Sequence, residues 1–288
     1  MVPRKTLAPA KVNLTLHVTG QRADGYHLLD SLVAFTEAGD LISAQPANDM
    51  TLTVSGPFAQ GVPTDESNLI LRAAHLLRRK RGVIAGAQIS LEKHLPHAAG
   101  LGGGSSDAAA ALKLLAALWD VEPLPVDAPE VVALGADVPV CLQGPAPARM
   151  RGVGDLLSPV PRLPDCALVL VNPKVAMPTG AVFEGLALKE NAPMADLPEA
   201  LTFEGFAEWL RAQRNDLQEP AMDVAKEVQS AIDRLNRIPA VAFAGMSGSG
   251  ATCFGLVRNM ADARHAARVV QVAEMSWWVT PAAILSAT

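Results

Sequence analysis

Four of the five residues at positions 100–104 are glycine, two serines follow, and an alanine-rich apolar run comes next. The stretch reads Gly100-Leu101-Gly102-Gly103-Gly104-Ser105-Ser106-Asp107. Glycine at this density lets the backbone take conformations closed to other residues and approach something bulky. The helical pattern over 105–119 adds unsatisfied N–H groups and a partial positive charge at its start, which together suit an anion. A turn capped by Ser105 or Ser106 needs one hydroxyl and no such run of glycine. The pattern therefore points to a phosphate loop, entered from a strand at 88–93.

Two familiar phosphate motifs do not fit. A G-x-x-x-x-G-K-[ST] loop needs Lys after its last glycine, and Ser105 follows Gly104. A dinucleotide G-x-G-x-x-G starting at Gly100 needs glycine at 105. The nucleophile elbow G-x-S-x-G is absent here and fails again at Gly245-Met246-Ser247-Gly248-Ser249. What remains, Pro96-x-x-x-Gly100-Leu101-Gly102-Gly103-Gly104-Ser105-Ser106, resembles the nucleotide loop of the GHMP kinases. Three further segments strengthen the resemblance in the family's order. They are Pro9-Ala10-Lys11-Val12-Asn13-Leu14, Gly135-Ala136-Asp137-Val138-Pro139, and the second glycine stretch 245–250. The resemblance covers essentially the whole chain. It implies an α+β, two-domain fold divided as 1–158 and 159–288, with the active site in the interdomain cleft. It also implies ATP as phosphoryl donor with Mg²⁺ carried on it, and no metal site of the protein's own.

Phosphoryl transfer needs neutralised charge, alignment and a group that receives the hydroxyl proton. By resemblance, Asp137 is that base and Lys11 its partner. An ammonium nearby keeps a carboxylate ionised and stabilises a developing alkoxide. The expected ATP-binding set is Asn68, Lys93, Pro96, Gly100, Leu101, Gly102, Gly103, Gly104, Ser105 and Ser106. The two serine hydroxyls suit phosphate oxygens or Mg²⁺, Lys93 has the reach for nucleotide or phosphate, and Asn68 matches a position on the adenine side.

The segment Gly20-Gln21-Arg22-Ala23-Asp24-Gly25-Tyr26-His27 narrows the resemblance to one branch of the family. That branch phosphorylates the 2-hydroxyl of 4-diphosphocytidyl-2-C-methyl-D-erythritol, in the non-mevalonate isoprenoid route. Asn215-Asp216-Leu217 is another segment shared with it. The implied substrate set is Asn13, Tyr26, His27, Thr179, Phe183, Ser247 and Gly248. Tyr26, the chain's one tyrosine, and Phe183 would sandwich cytosine, and His27 would hydrogen-bond its edge. A kinase for another small alcohol is the rival within the family, and the 20–27 segment argues against it. A nucleotide-binding protein without catalysis is the rival outside it, and intact Lys11 and Asp137 argue against that. The lead-in His97-Ala98-Ala99 departs from the branch's more glycine-rich form.

Bulk properties fit a small-molecule enzyme. The 288 residues are 50% apolar, enough for a sizeable core, and the formal charge of −5 argues against a nucleic-acid partner. Cys141, Cys166 and Cys253 are scattered and odd in number, as in a reducing compartment. His94 and His97 have no third metal ligand nearby. No apolar run approaches a membrane span and no leader pattern opens the chain. The expected setting is the cytoplasm, away from membranes. Oligomeric state has no signature in the sequence.

Overall fold

The computed structural model describes residues 4–286. The chain begins with β1 (Arg4–Asn13), β2 (His17–Gln21), β3 (His27–Ala47), β4 (Met50–Ser55), α1 (Leu69–Arg81), β5 (Gly86–Glu92) and α2 (Gly103–Trp119). It continues with α3 (Pro129–Val132), α4 (Val138–Gln143), β6 (Ala148–Gly152), β7 (Leu156–Pro159), β8 (Ala167–Asn172) and α5 (Thr179–Glu184). Last come α6 (Phe203–Arg211), α7 (Gln218–Val224), α8 (Glu227–Asn236), β9 (Phe243–Met246), β10 (Cys253–Val257), α9 (Met260–Ala273) and β11 (Trp278–Ala283). The fold class is α+β, as the sequence led us to expect. Two compact units interleave along the chain. One takes the residues up to Ala10 with Gly39–His97 and Gly102–Gly144; the other takes Lys11–Ala38, Ala98–Leu101 and the residues from Pro145 onward.

In the first unit, β5 pairs antiparallel with the second half of β3, from Leu41↔Glu92 to Ala47↔Gly86, and parallel with β4. Ala87, Ile89 and Leu91 of β5 are buried at alternate positions, the period of a half-buried strand. Helix α2 is apolar almost all round, burying Ala108 to Leu112, Leu114, Leu115 and Ala116, and it packs on α1 and α4. Helix α1 begins at Asn68, whose side chain accepts from Ile70 N, and ends on Arg78 to Arg81 before a left-handed Gly82. The residue before it, Ser67, looks from sequence like the cap but instead donates its hydroxyl to Asp65 at 2.6 Å.

The second unit is built on an antiparallel sheet of order β11-β8-β10-β9. All six residues of β8 are buried, and β10 pairs with it from Cys253↔Val171 to Val257↔Ala167. Val228, Ala231, Ile232 and Leu235 of α8 and Ala266, Ala267 and Val270 of α9 complete this core with Val169 and Val171. In the same unit the first half of β3 pairs with β2 and β6, and β6 with β7.

Three local readings of the sequence change. Residues 28–35 and 41–43, which read as separate strands, are one strand of 21 residues. Gly39 lies between them, inside the continuous strand. It is there because a Cβ at that point would lie 2.3 Å from the Ala8 carbonyl oxygen, so β1 can approach only glycine. The helical pattern 222–235 is two helices, broken at Ala225, which is extended at φ −146 and ψ 111. No glycine or proline marks that break. The short strands β6 and β7 were also not anticipated.

Candidate active site

Helix α2 starts earlier than expected. Its N-cap is Gly102, left-handed at φ 60, with no side-chain cap. The N–H groups of Gly103, Gly104 and Ser105 form its first turn, and none of the three residues is buried. Ser106 does not cap. Its N–H donates to Gly102 O at 2.8 Å and its hydroxyl to Pro9 O at 2.7 Å, so that side chain is spent on holding β1. The result is an open helix start ringed by backbone donors, the arrangement that suits a phosphate.

Lys93, at the exit of β5, is buried against this turn. A Cβ on Gly103 would sit 3.2 Å from its Nζ. The ammonium donates to Asp40 and, at 2.8 Å, to Asp107 Oδ2, while Asp107 Oδ1 is buried with no partner. Burial pushes the Asp107 carboxyl up to about 7, with Asp40 adding to the shift and Lys93 opposing it. Burial alone would lower Lys93, but its two carboxylates outweigh that and raise it. A carboxyl raised in the folded state favours folding below its ordinary value, and the contribution fades as pH rises through about 7. Wild type should therefore lose unfolding midpoint in urea relative to Asp107→Asn between pH 5 and pH 8; a constant difference would contradict this.

Asp137 is the N-cap residue of α4, half-buried, and its carboxylate makes no cap bond. Pro139 sits in the first turn of that helix, where its missing N–H costs nothing. The Gly135 position packs toward the α2 start, since a Cβ there would lie 3.7 Å from Ser105 Oγ. Pro96 and Leu101 are buried at the two ends of the loop. Asn68 spends its side chain on capping α1 and on Pro63 O at 2.7 Å.

In the second unit, the segments 11–13, 98–101 and 247–252 are knit by hydrogen bonds. Lys11 N–H donates to Leu101 O at 2.9 Å, and Thr252 N–H to Ala99 O at 3.2 Å. Ser247 Oγ donates to Gly100 O at 2.7 Å and accepts from Asn13 N–H at 3.0 Å. Asn13 Nδ2 donates to Ser31 Oγ at 2.7 Å. Asn215 holds the glycine turn from below, donating to Met246 O at 2.8 Å and Gly248 O at 2.9 Å. Its place here accounts for a segment that the sequence singled out without a role. Gly100, at φ 72, has the Ser247 carbonyl where a Cβ would go, at 2.2 Å. Gly100→Ala should cost about 1–3 kcal/mol from backbone strain alone, seen as a lower melting temperature. An unchanged melt would contradict this packing.

The acceptor candidates lie in the same unit. The His27 and Phe183 rings stack at 4.8 Å between centroids, 24° apart. His27 Nε2 is buried without a partner, and burial, then the charge of Lys189, lowers the imidazole. Tyr26 beside it is 62% exposed, so one of its faces is open to a ligand. Thr179 Oγ1 and Ser249 Oγ are 3.0 Å apart. Among the described residues no group of three His, Cys, Asp or Glu is placed to hold a metal, and no helix is long and apolar enough to cross a membrane. Asp40 and Asp107 are the site neighbours that sequence reasoning missed.

The chain resembles known proteins over nearly its whole length. The model of the GHMP kinases N terminal domain matches residues 68–148, and that of the GHMP kinases C terminal domain matches 196–274. The 4-diphosphocytidyl-2-C-methyl-D-erythritol kinase of Cereibacter sphaeroides is 52% identical over 96% of this chain and 98% of its own. That of Dinoroseobacter shibae is 54% identical over 97% of this chain and 94% of its own. A crystal structure of 4-(cytidine 5'-diphospho)-2C-methyl-D-erythritol kinase superposes with a TM-score of 0.78 at 36% identity, covering 97% of this chain and 99% of its own. Homoserine kinase from Cytophaga hutchinsonii shares the fold, with a TM-score of 0.69 at 16% identity over 98% of this chain and 95% of its own. Likeness of this extent, reaching both halves of the family model, makes the chain an ATP-dependent small-molecule kinase that belongs to the GHMP kinase family.

Proposed function

We propose that this kinase transfers the terminal phosphoryl group of ATP to the 2-hydroxyl of 4-diphosphocytidyl-2-C-methyl-D-erythritol. The observation that carries the reading is identity of 52–54% to kinases of that name over nearly the whole of both chains. In this reading the α2 start, from Gly102 to Ser106, receives the phosphates. Mg²⁺ arrives on the nucleotide and offsets phosphate charge. Asp137 takes the proton from the 2-hydroxyl, whose oxygen then bonds to the terminal phosphorus as the bond to ADP breaks. Lys11 supplies the positive charge that keeps the base ionised and steadies the developing alkoxide. Pro96, Gly100 and Leu101 set the loop, and Asn68 borders the adenine side.

At the other end of the substrate, Tyr26, His27 and Phe183 read cytosine. Support comes from the exposed Tyr26 ring beside a His27 whose Nε2 has no protein partner. The His27 ring itself stacks on Phe183, so Tyr26 is the aromatic face left open for the base, and His27 Nε2 would reach a base edge only if the ring moved off Phe183. Asn13, Thr179, Ser247 and Gly248 neighbour the erythritol and diphosphate. Tyr26→Ala should lower kcat/KM for the cytidyl substrate by the equivalent of about 1–3 kcal/mol, the worth of base–aromatic stacking. ATP affinity should barely move. A loss confined to ATP binding would remove Tyr26 from the acceptor site.

The test of the function is direct. Purified protein is incubated with ATP, Mg²⁺ and a panel of alcohols that includes the cytidyl substrate, homoserine and mevalonate. ADP and a phosphorylated product should form with the cytidyl compound. Preference for another alcohol would leave the family and remove the substrate assignment. We assign the enzyme to the cytoplasm.

A further inference from the structure

Lys93 is held on every side. Its backbone N–H donates to Ser55 O at 2.7 Å and its carbonyl accepts from Phe58 N–H at 3.2 Å. Its ammonium, 4% exposed as a residue, is shared between the Asp40 and Asp107 carboxylates. Asp40 in turn takes the His94 and Leu95 N–H groups on Oδ1, at 2.6 and 2.8 Å. One ammonium thus ties β3, the entry to the glycine loop and the second turn of α2. A phosphate oxygen could reach Lys93 only by displacing a buried carboxylate, which would then lie uncompensated.

Resting on the reading of 102–106 as the phosphate loop, we infer that Lys93 is a positioning residue for ATP. It acts by locking the start of α2 to β3 through Asp40 and Asp107, and does not itself bind phosphate. Removing Lys93 leaves two buried carboxyl groups facing each other beside the loop, so both stability and ATP affinity fall. Removing Asp107 with it takes away one positive and one negative group together, and Asp40 keeps its two backbone donors.

The inference is tested by calorimetric ATP titration, in Mg²⁺ and without acceptor, alongside thermal melts. The proteins are wild type, Lys93→Met, Lys93→Met/Asp107→Leu and Gly103→Val. Lys93→Met should melt lower and bind ATP about tenfold or more weakly. The double variant should regain most of both losses. A double variant that regains the melt but not the affinity would show that the ammonium touches phosphate, and would overturn the inference. So would wild-type affinity in a folded Lys93→Met. If Gly103→Val also binds ATP as wild type does, phosphate is not on this loop, and the error lies in that reading rather than in the cluster.

Discussion

Asp137→Asn is expected to lower kcat by about 10²-fold or more, the scale of a positioned general base, with ATP affinity held within about threefold. The substitution keeps the shape of the side chain and removes its ability to take a proton. A thermal melt beside the assay separates a catalytic loss from a folding one. Pro139 and the apolar run Val138 to Leu142 hold α4 in its place. The expected pattern is a loss in kcat and kcat/KM together, the sign of an interaction made in the transition state. Turnover within about threefold of wild type would remove Asp137 from the chemistry.

Lys11→Ala should be of similar size, about 10²-fold in kcat, the scale of one lost electrostatic contact to a developing oxyanion. Lys11 is 3% exposed, and its backbone N–H is bonded to Leu101 O. Lys11→Arg should recover only part of the rate, since a planar guanidinium is larger and spreads its charge over a fork. A melt within a few degrees of wild type separates a catalytic loss from an unfolded protein. Full rescue by arginine would mean that charge alone matters and its placement does not.

How far the sequence was legible follows from what each residue does. The glycine loop before α2 could be read as an open helix start because backbone N–H groups need glycine to be approached closely, and glycine is visible in sequence. Gly39 answers to the same need, here a close approach of the Ala8 carbonyl, but nothing near it in sequence marks that partner. A lone glycine does not say what approaches it. Asp40 and Asp107 could not be found, because their partner Lys93 is 53 and 14 residues away and nothing local marks a buried carboxylate. Ser247 was visible as part of a glycine motif. Its two hydrogen bonds, to the Gly100 carbonyl and from the Asn13 N–H, span 147 and 234 residues and need the folded chain to be seen. The cap of α1 is Asn68, whereas Ser67, one residue earlier, is the hydroxyl that sequence position favours, and two adjacent cap-type residues are not told apart by pattern alone. The break at Ala225 has no glycine or proline to mark it, and Val228 and Ala231 just beyond it are buried in the core. Motifs whose backbone demands a residue type were thus easy to read, and polar networks across long separations were not.

In the proposed reaction the cytidyl end of the substrate is read at a distance from the reacting hydroxyl. Remote binding energy of that kind appears in turnover as well as in affinity. The most direct measurement compares kcat/KM of the wild type, at saturating ATP, for two acceptors. One is 4-diphosphocytidyl-2-C-methyl-D-erythritol and the other is 2-C-methyl-D-erythritol 4-phosphate, which keeps the hydroxyl and lacks the cytidyl group. The cytidyl compound should be preferred by about tenfold or more, the scale of one lost stacking contact, and Tyr26→Ala should not alter the rate on the truncated compound. Equal efficiency on the two acceptors would contradict the account.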